Sequence, residues 1–83
     1  MLKVKRLMAG SYEVPGTPYF FYRADLHGAV VAEDGISNRG LWYIYREGEW
    51  DDQFINCVGS YNACKRVVAG LVAQESTIKG ELQ

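Results

Sequence analysis

Only one stretch of this 83-residue chain repeats its apolar residues at helical spacing. Tyr61, Cys64, Val67, Val68, Leu71 and Val72 recur at intervals of three and four and make a single stripe. Asn62, Lys65, Arg66, Ala69 and Ala73 fall on the other side. Ser60 is a good N-cap, because its hydroxyl accepts from an early helical N–H; Ala63, three residues on, leaves no capping box. Gly70 costs a helix about 1 kcal/mol relative to Ala, which suggests a close backbone approach. The spacing predicts a helix from Ser60 to about Gln74 and an aperiodic tail over residues 76–83. One helix covers one face of a sheet. Whatever sheet precedes it therefore keeps its other face open.

The segment before Ser60 reads as strands divided by turns. Leu2 to Val14 is a strand or a bent strand pair, interrupted at Gly10-Ser11. Pro15-Gly16-Thr17-Pro18 is a turn, with Pro presetting φ and Gly supplying the positive φ that follows. Tyr19 to Ala24 is apolar on both faces over its first four residues, as expected of a central strand. Asp25 to Gly28 is a connection, Ala29 to Ala32 a brief strand, and Glu33 to Gly40 an exposed loop. Leu41 to Arg46 is a strand, Glu47-Gly48 a hairpin turn, and Trp50 to Asn56 the partner strand. Tight turns between consecutive strands make antiparallel pairs. The expectation is one α+β domain over residues 1–83, an antiparallel sheet of four or five strands packed on one face by a single C-terminal helix.

Composition limits what such a domain does. A chain this short buries only about 60–65% of the surface its unfolded form exposes, so its stability is modest or is helped by self-association. Residues 1–46 carry six basic and four acidic groups, and residues 47–83 carry three and six, for a net charge of −1. Neither half is the strongly basic field of a dedicated nucleic-acid binder. No run of residues approaches the length of a membrane span. The basic start, Met1 to Arg6, lacks the apolar core of a signal peptide. A cytoplasmic protein with reduced cysteines is expected.

Period-two alternation divides the aromatic residues, which are 13% of the chain. Leu41, Tyr43 and Tyr45 share one face, and Trp42, Ile44 and Arg46 the other. Tyr19, Phe21 and Arg23 share one face, and Phe20, Tyr22 and Ala24 the other. A helix on one side leaves about half of these rings uncovered. Tyr, Trp and Arg dominate interface hot spots, and a large exposed apolar patch on a small domain marks a contact.

No enzyme signature accompanies this surface. Cys57 and Cys64 with His27 resemble a nucleophile and base only in composition, and Cys64 lies on the apolar stripe as a core residue would. These three residues lack the four ligands of a structural zinc site. Glu47, Glu49, Asp51 and Asp52 do not follow the spacing of a calcium loop and read as a solvated hairpin tip. No glycine-rich phosphate loop or nucleophile elbow occurs. Neither a metal nor a cofactor is expected.

Three resemblances bear on partners. Arg39, Gly40, Tyr43 and Ile44 match the first RNP segment of the RNA-recognition motif; Leu41, Trp42 and Arg46 depart from it. Residues 39–73, with Trp42-Tyr43-Ile44, Trp50, Phe54 and a helix holding Ala63 and Val67, look like the sheet and helix of AP2-type and integrase-arm DNA-binding domains. That likeness implies a sheet face in the major groove, with Arg39 and Arg46 as contacts, joined by Arg23. The small size, and Gly40-Leu41-Trp42-Tyr43-Ile44-Tyr45 followed by a helix at Ser60, resemble small phage and mobile-element proteins, including inhibitors of host defence. This last likeness implies a protein partner.

The reading drawn from the residues is a non-enzymatic protein-binding module, a small inhibitor or adaptor. Tyr19, Phe21, Tyr43, Tyr45 and Arg46 would supply contacts, and Glu47, Glu49, Asp51 and Asp52 electrostatic selectivity. The partner is another protein, or a second copy in a homodimer whose uncovered sheet faces hide each other. The alternative is a nucleic-acid-binding module using Arg23, Arg39 and Arg46.

Overall fold

The structure, a computed structural model, describes residues 2–26, 28 and 30–81, the side chains of 76–81 excepted. Five strands precede one helix: β1 (Lys5–Met8), β2 (Ser11–Glu13), β3 (Tyr19–Arg23), β4 (Trp42–Arg46), β5 (Gln53–Val58) and α1 (Tyr61–Glu81). The strands form one antiparallel sheet in the order β1-β2-β3-β4-β5, an α+β meander in which β3 is central. Among the described residues no helix is long and apolar enough to cross a membrane.

The turns follow local chemistry. Gly10 turns β1 into β2 with a φ of +81°, and its carbonyl accepts from the Arg23 N–H at 2.8 Å. A Cβ at Gly10 would lie 3.1 Å from the Arg23 guanidinium, so the position disfavours any side chain on both counts. In the Pro15–Pro18 turn, the Thr17 hydroxyl donates to the Val14 carbonyl at 2.8 Å and accepts from the Tyr19 N–H at 3.1 Å. These two bonds fix where β3 begins.

Two expected strands differ. Ala29 to Ala32 is not a strand: a single bridge, Val31 to Ser37, stands in its place, and Ala29 lies outside the described residues. Asn38 organises this excursion. Its side chain donates to the Ala24 carbonyl at 3.0 Å and accepts from the Val30 N–H at 2.8 Å, work a strand ladder would otherwise do. The last hairpin also turns later than Glu47-Gly48. Its connection spans residues 47–52, and β5 starts at Gln53 rather than Trp50. Asp51 and Asp52 are poor strand residues, and the Asp52 carboxylate instead accepts from the Gly48 N–H at 3.4 Å.

The Ser60 hydroxyl accepts from the Ala63 N–H at 3.1 Å and caps α1. The helix then runs to Glu81, past Gln74 where the aperiodic tail was expected. Gly70 faces open space, so no close approach explains it. The stripe predicted from spacing is the packed one: Cys64 and Val68 are fully buried, with Tyr61, Val67, Leu71 and Val72 packed around them.

The core is small. Val14, Tyr19, Phe21, Ile44, Cys64 and Val68 are buried between the sheet and α1. Each large apolar side chain so buried contributes about 1.5–3 kcal/mol. Rings of Tyr12, Phe21, Trp42 and Tyr61 close one end of this layer, with centroids 4.8 to 6.2 Å apart. At the other end, the Tyr19 hydroxyl donates to the Glu75 carboxylate at 2.6 Å and ties β3 to α1.

Candidate interaction surface

Strand register decides which rings the helix covers. Phe21 pairs with Ile44, and Tyr19 with Arg46, so these side chains share the helix side. Phe20 pairs with Tyr45, and Tyr22 with Tyr43, on the opposite side. A bulge at the β4–β5 pairing then sets Tyr45 opposite Phe54 and Tyr43 opposite Cys57. The open face thus carries Phe20, Tyr22, Tyr43, Tyr45 and Phe54.

These five rings form one continuous array across three strands. Phe20 stacks on Tyr45 with centroids 5.6 Å apart and planes 11° apart. Tyr22 stacks on the other side of Tyr45, also at 5.6 Å, with an interplanar angle of 5°. Phe54 meets Tyr45 and Tyr43 edge-on at 5.6 and 6.0 Å. Such pairs each contribute about 0.5–1.5 kcal/mol beyond their area, so the array is held rigid before any partner arrives. The paired hydroxyl of Tyr45, with burial second, pushes the Tyr22 phenol up to about 12. The Tyr22 phenol therefore remains a protonated hydrogen-bonding group at neutral pH.

Other exposed features lie beyond both ends of the strands. At one end stands the acidic connection 47–52, with Trp50 at 89% exposure among Glu47, Glu49, Asp51 and Asp52. Gly48 lets this connection fold tightly, because a Cβ there would collide with the Asp51 carbonyl. A groove of about 500 Å³ runs from the Pro15–Pro18 turn to the base of the hairpin, past Leu7, Glu13, Phe20, Glu47 and Asp52. At the other end, Val30, Ile36, Leu41 and Tyr43 line a shallower hollow of about 460 Å³.

Several expected site residues stand elsewhere. Tyr19 and Phe21 are 4% and 0% exposed beneath the helix, on the covered side of the sheet. Arg46 is exposed but shares their side of the sheet, where its charge acts on the Tyr19 phenol. The same phenol is raised above its ordinary value by burial first and by Glu75 second. Tyr43 and Tyr45 do lie on the open face. Phe20, Tyr22 and Phe54 belong with them and were not among the expected contacts. The Tyr-Phe-Phe-Tyr order of β3 puts one Tyr and one Phe on each face, so composition alone does not orient that strand.

Two of the three candidate arginines lie on the side opposite the aromatic face. Arg23 pairs with Trp42 on the helix side, with its Nε 3.3 Å from an Asp25 carboxylate oxygen. Arg46 lies on that side too, and Arg39 is exposed in the β3–β4 connection. Both cysteines are free thiols: Cys64 is buried, its thiol pushed up to about 12 by burial, and Cys57 is exposed on β5. His27 lies outside the described residues. Among the described residues no group of three His, Cys, Asp or Glu side chains is placed to hold a metal ion.

No family model, curated protein or solved structure matches this chain.

Proposed function

We propose that this chain is a non-enzymatic protein-binding module, acting as a small inhibitor or adaptor, whose contact surface is the open aromatic face together with the acidic hairpin tip. One observation carries the reading: Phe20, Tyr22, Tyr43, Tyr45 and Phe54 form a preassembled array on the sheet face that α1 does not cover. These rings lie outside the core that α1 covers. Rigid aromatic side chains lose little entropy on binding and make effective anchors. Trp50 adds an exposed anchor, and the four carboxylates around it select partner surfaces by charge. The nucleic-acid reading is weaker, because Arg23 and Arg46 lie on the opposite side of the sheet from the rings.

Affinity capture with the immobilised chain, read by mass spectrometry, tests this reading. A protein retained by the wild type and lost from Phe54→Lys and Trp50→Ala, with unchanged melting curves, is expected. Retention equal in the wild type and both variants would sink it. So would duplex DNA or RNA binding that weakens steeply as salt rises.

A further inference from the structure

We infer that the open sheet face is closed by a second copy of this chain, related to the first by a two-fold axis running parallel to β3 between the two sheets. The inference rests on the reading of that face as the contact surface: in the free protein a second copy covers it, and another protein engages it only by displacing that copy.

Surface area gives the first reason. The chain exposes 6120 Å². A compact monomer of 9.4 kDa exposes about 5,000 Å². The elongated outline, 50 Å on its long axis, supplies part of the difference. Phe54 and Met8, 51% and 54% exposed, mark the part on the open face, since Phe54 pairs with Tyr45 and Met8 with Ser11. A stable interface removes about 800 Å² from each partner, and the excess of roughly 1,100 Å² is shared between the elongated outline and the exposed groups of this face. Two sheets stacked about 10 Å apart, each backed by its own helix, form a four-layer arrangement with the aromatic array as a second core.

Charge chooses the axis. Lys5, Glu13, Phe20, Tyr45 and Phe54 make one cross-strand row over the whole sheet. The basic residues Lys3 and Lys5 stand at its β1 end, and the acidic tip extends beyond its β4–β5 end. Face-to-face packing admits two simple two-fold axes. Both keep the sheets evenly spaced, because the two copies twist with the same hand. An axis across the strands would set each acidic tip over the end that bears Glu33 and Asp34, where like charges repel. An axis along the strands exchanges β1 with β5 and keeps the ends together. It sets Lys3 and Lys5 of each copy against the acidic tip of the other, twice per dimer. Lys5 is available for this, since its 3.8 Å pair with Glu13 is exposed and such pairs hold a side chain only weakly.

Sedimentation equilibrium of the purified full chain tests the inference, with each variant's fold checked by its melting curve. The wild type is expected to dimerise in the micromolar range. Lys3→Glu/Lys5→Glu and Glu49→Lys/Asp51→Lys are each expected to weaken dimerisation by about tenfold or more. All four positions are exposed, so the variants should fold. An equimolar mixture of the two variants is expected to restore a dimer, because both contacts then pair opposite charges. A folded wild type that stays monomeric would overturn the inference while leaving the face free for a different protein. A wild-type dimer indifferent to the charge variants, or a mixture that stays monomeric, would overturn it too.

Discussion

Phe21 and Phe20 are neighbours with the same side chain and opposite fates, and replacing each with alanine measures the orientation of β3 directly. Phe21 is fully buried and meets Tyr12, Tyr61 and Trp42 at 5.7, 5.8 and 6.2 Å. Removing it leaves a cavity beneath α1 and should cost about 3–5 kcal/mol. A domain of this length has about 4–12 kcal/mol in total. At about 4–8 °C per kcal/mol, the melting temperature should fall by roughly 12–40 °C. Phe20 is partly exposed and stacks only on Tyr45. Its loss should cost about 1 kcal/mol, or roughly 4–8 °C. Urea titrations followed by circular dichroism, at concentrations below the association midpoint, would read both. A Phe20→Ala cost equal to or above that of Phe21→Ala would refute the register argument, because the two faces would then be exchanged.

Other expectations follow from single positions. Gly70→Ala should stabilise the domain by about 1 kcal/mol in the same titration, because the glycine faces open space in mid-helix. A thiol reagent should label exposed Cys57 quickly at neutral pH and reach Cys64 only as the domain opens. Alkaline pH should destabilise the fold. Cys64 and Tyr22 both have folded values raised to about 12, from ordinary values of 9.0 and 10.0, so the folded state favours their protonated forms. The stability they contribute is complete below pH 9 and is lost as pH rises towards 12. Tyr22→Phe should flatten the upper part of that loss, and an unchanged profile would argue against the Tyr22–Tyr45 hydroxyl pair.

The strands, the helix and the one-sided packing were readable because each rests on local chemistry. Ser60 caps, the stripe from Tyr61 to Val72 repeats at helical period, and Pro15-Gly16 turns the chain. The choice of face depends on pairing between strands far apart in sequence. For β4 the residues hold a clue, since Ile44 has no polar atom and Tyr43 and Tyr45 carry hydroxyls that stay wet. For β3 they hold none, and Tyr19 and Phe21 were placed outside although they pair with Arg46 and Ile44 on the covered side. The bulge that sets Phe54 opposite Tyr45 is likewise a property of the assembled sheet. A turn at Glu47-Gly48 alone would start the partner strand at Trp50; the two following aspartates and the tight fold at Gly48 carry the connection on to Asp52. The excursion over residues 24–41 depends on one side chain, Asn38, whose bonds reach back 8 and 14 residues.

Hydroxyl-radical footprinting tests the contact surface most directly, comparing the chain above and below its association midpoint and with any captured protein. Tyr43, Tyr45, Phe54 and Trp50 should react in the free chain and become protected together on association, while Phe21 stays protected throughout. Protection confined to the outer side of α1, at Arg66, Ala69 and Ala73, with the open sheet face unchanged, would contradict the account.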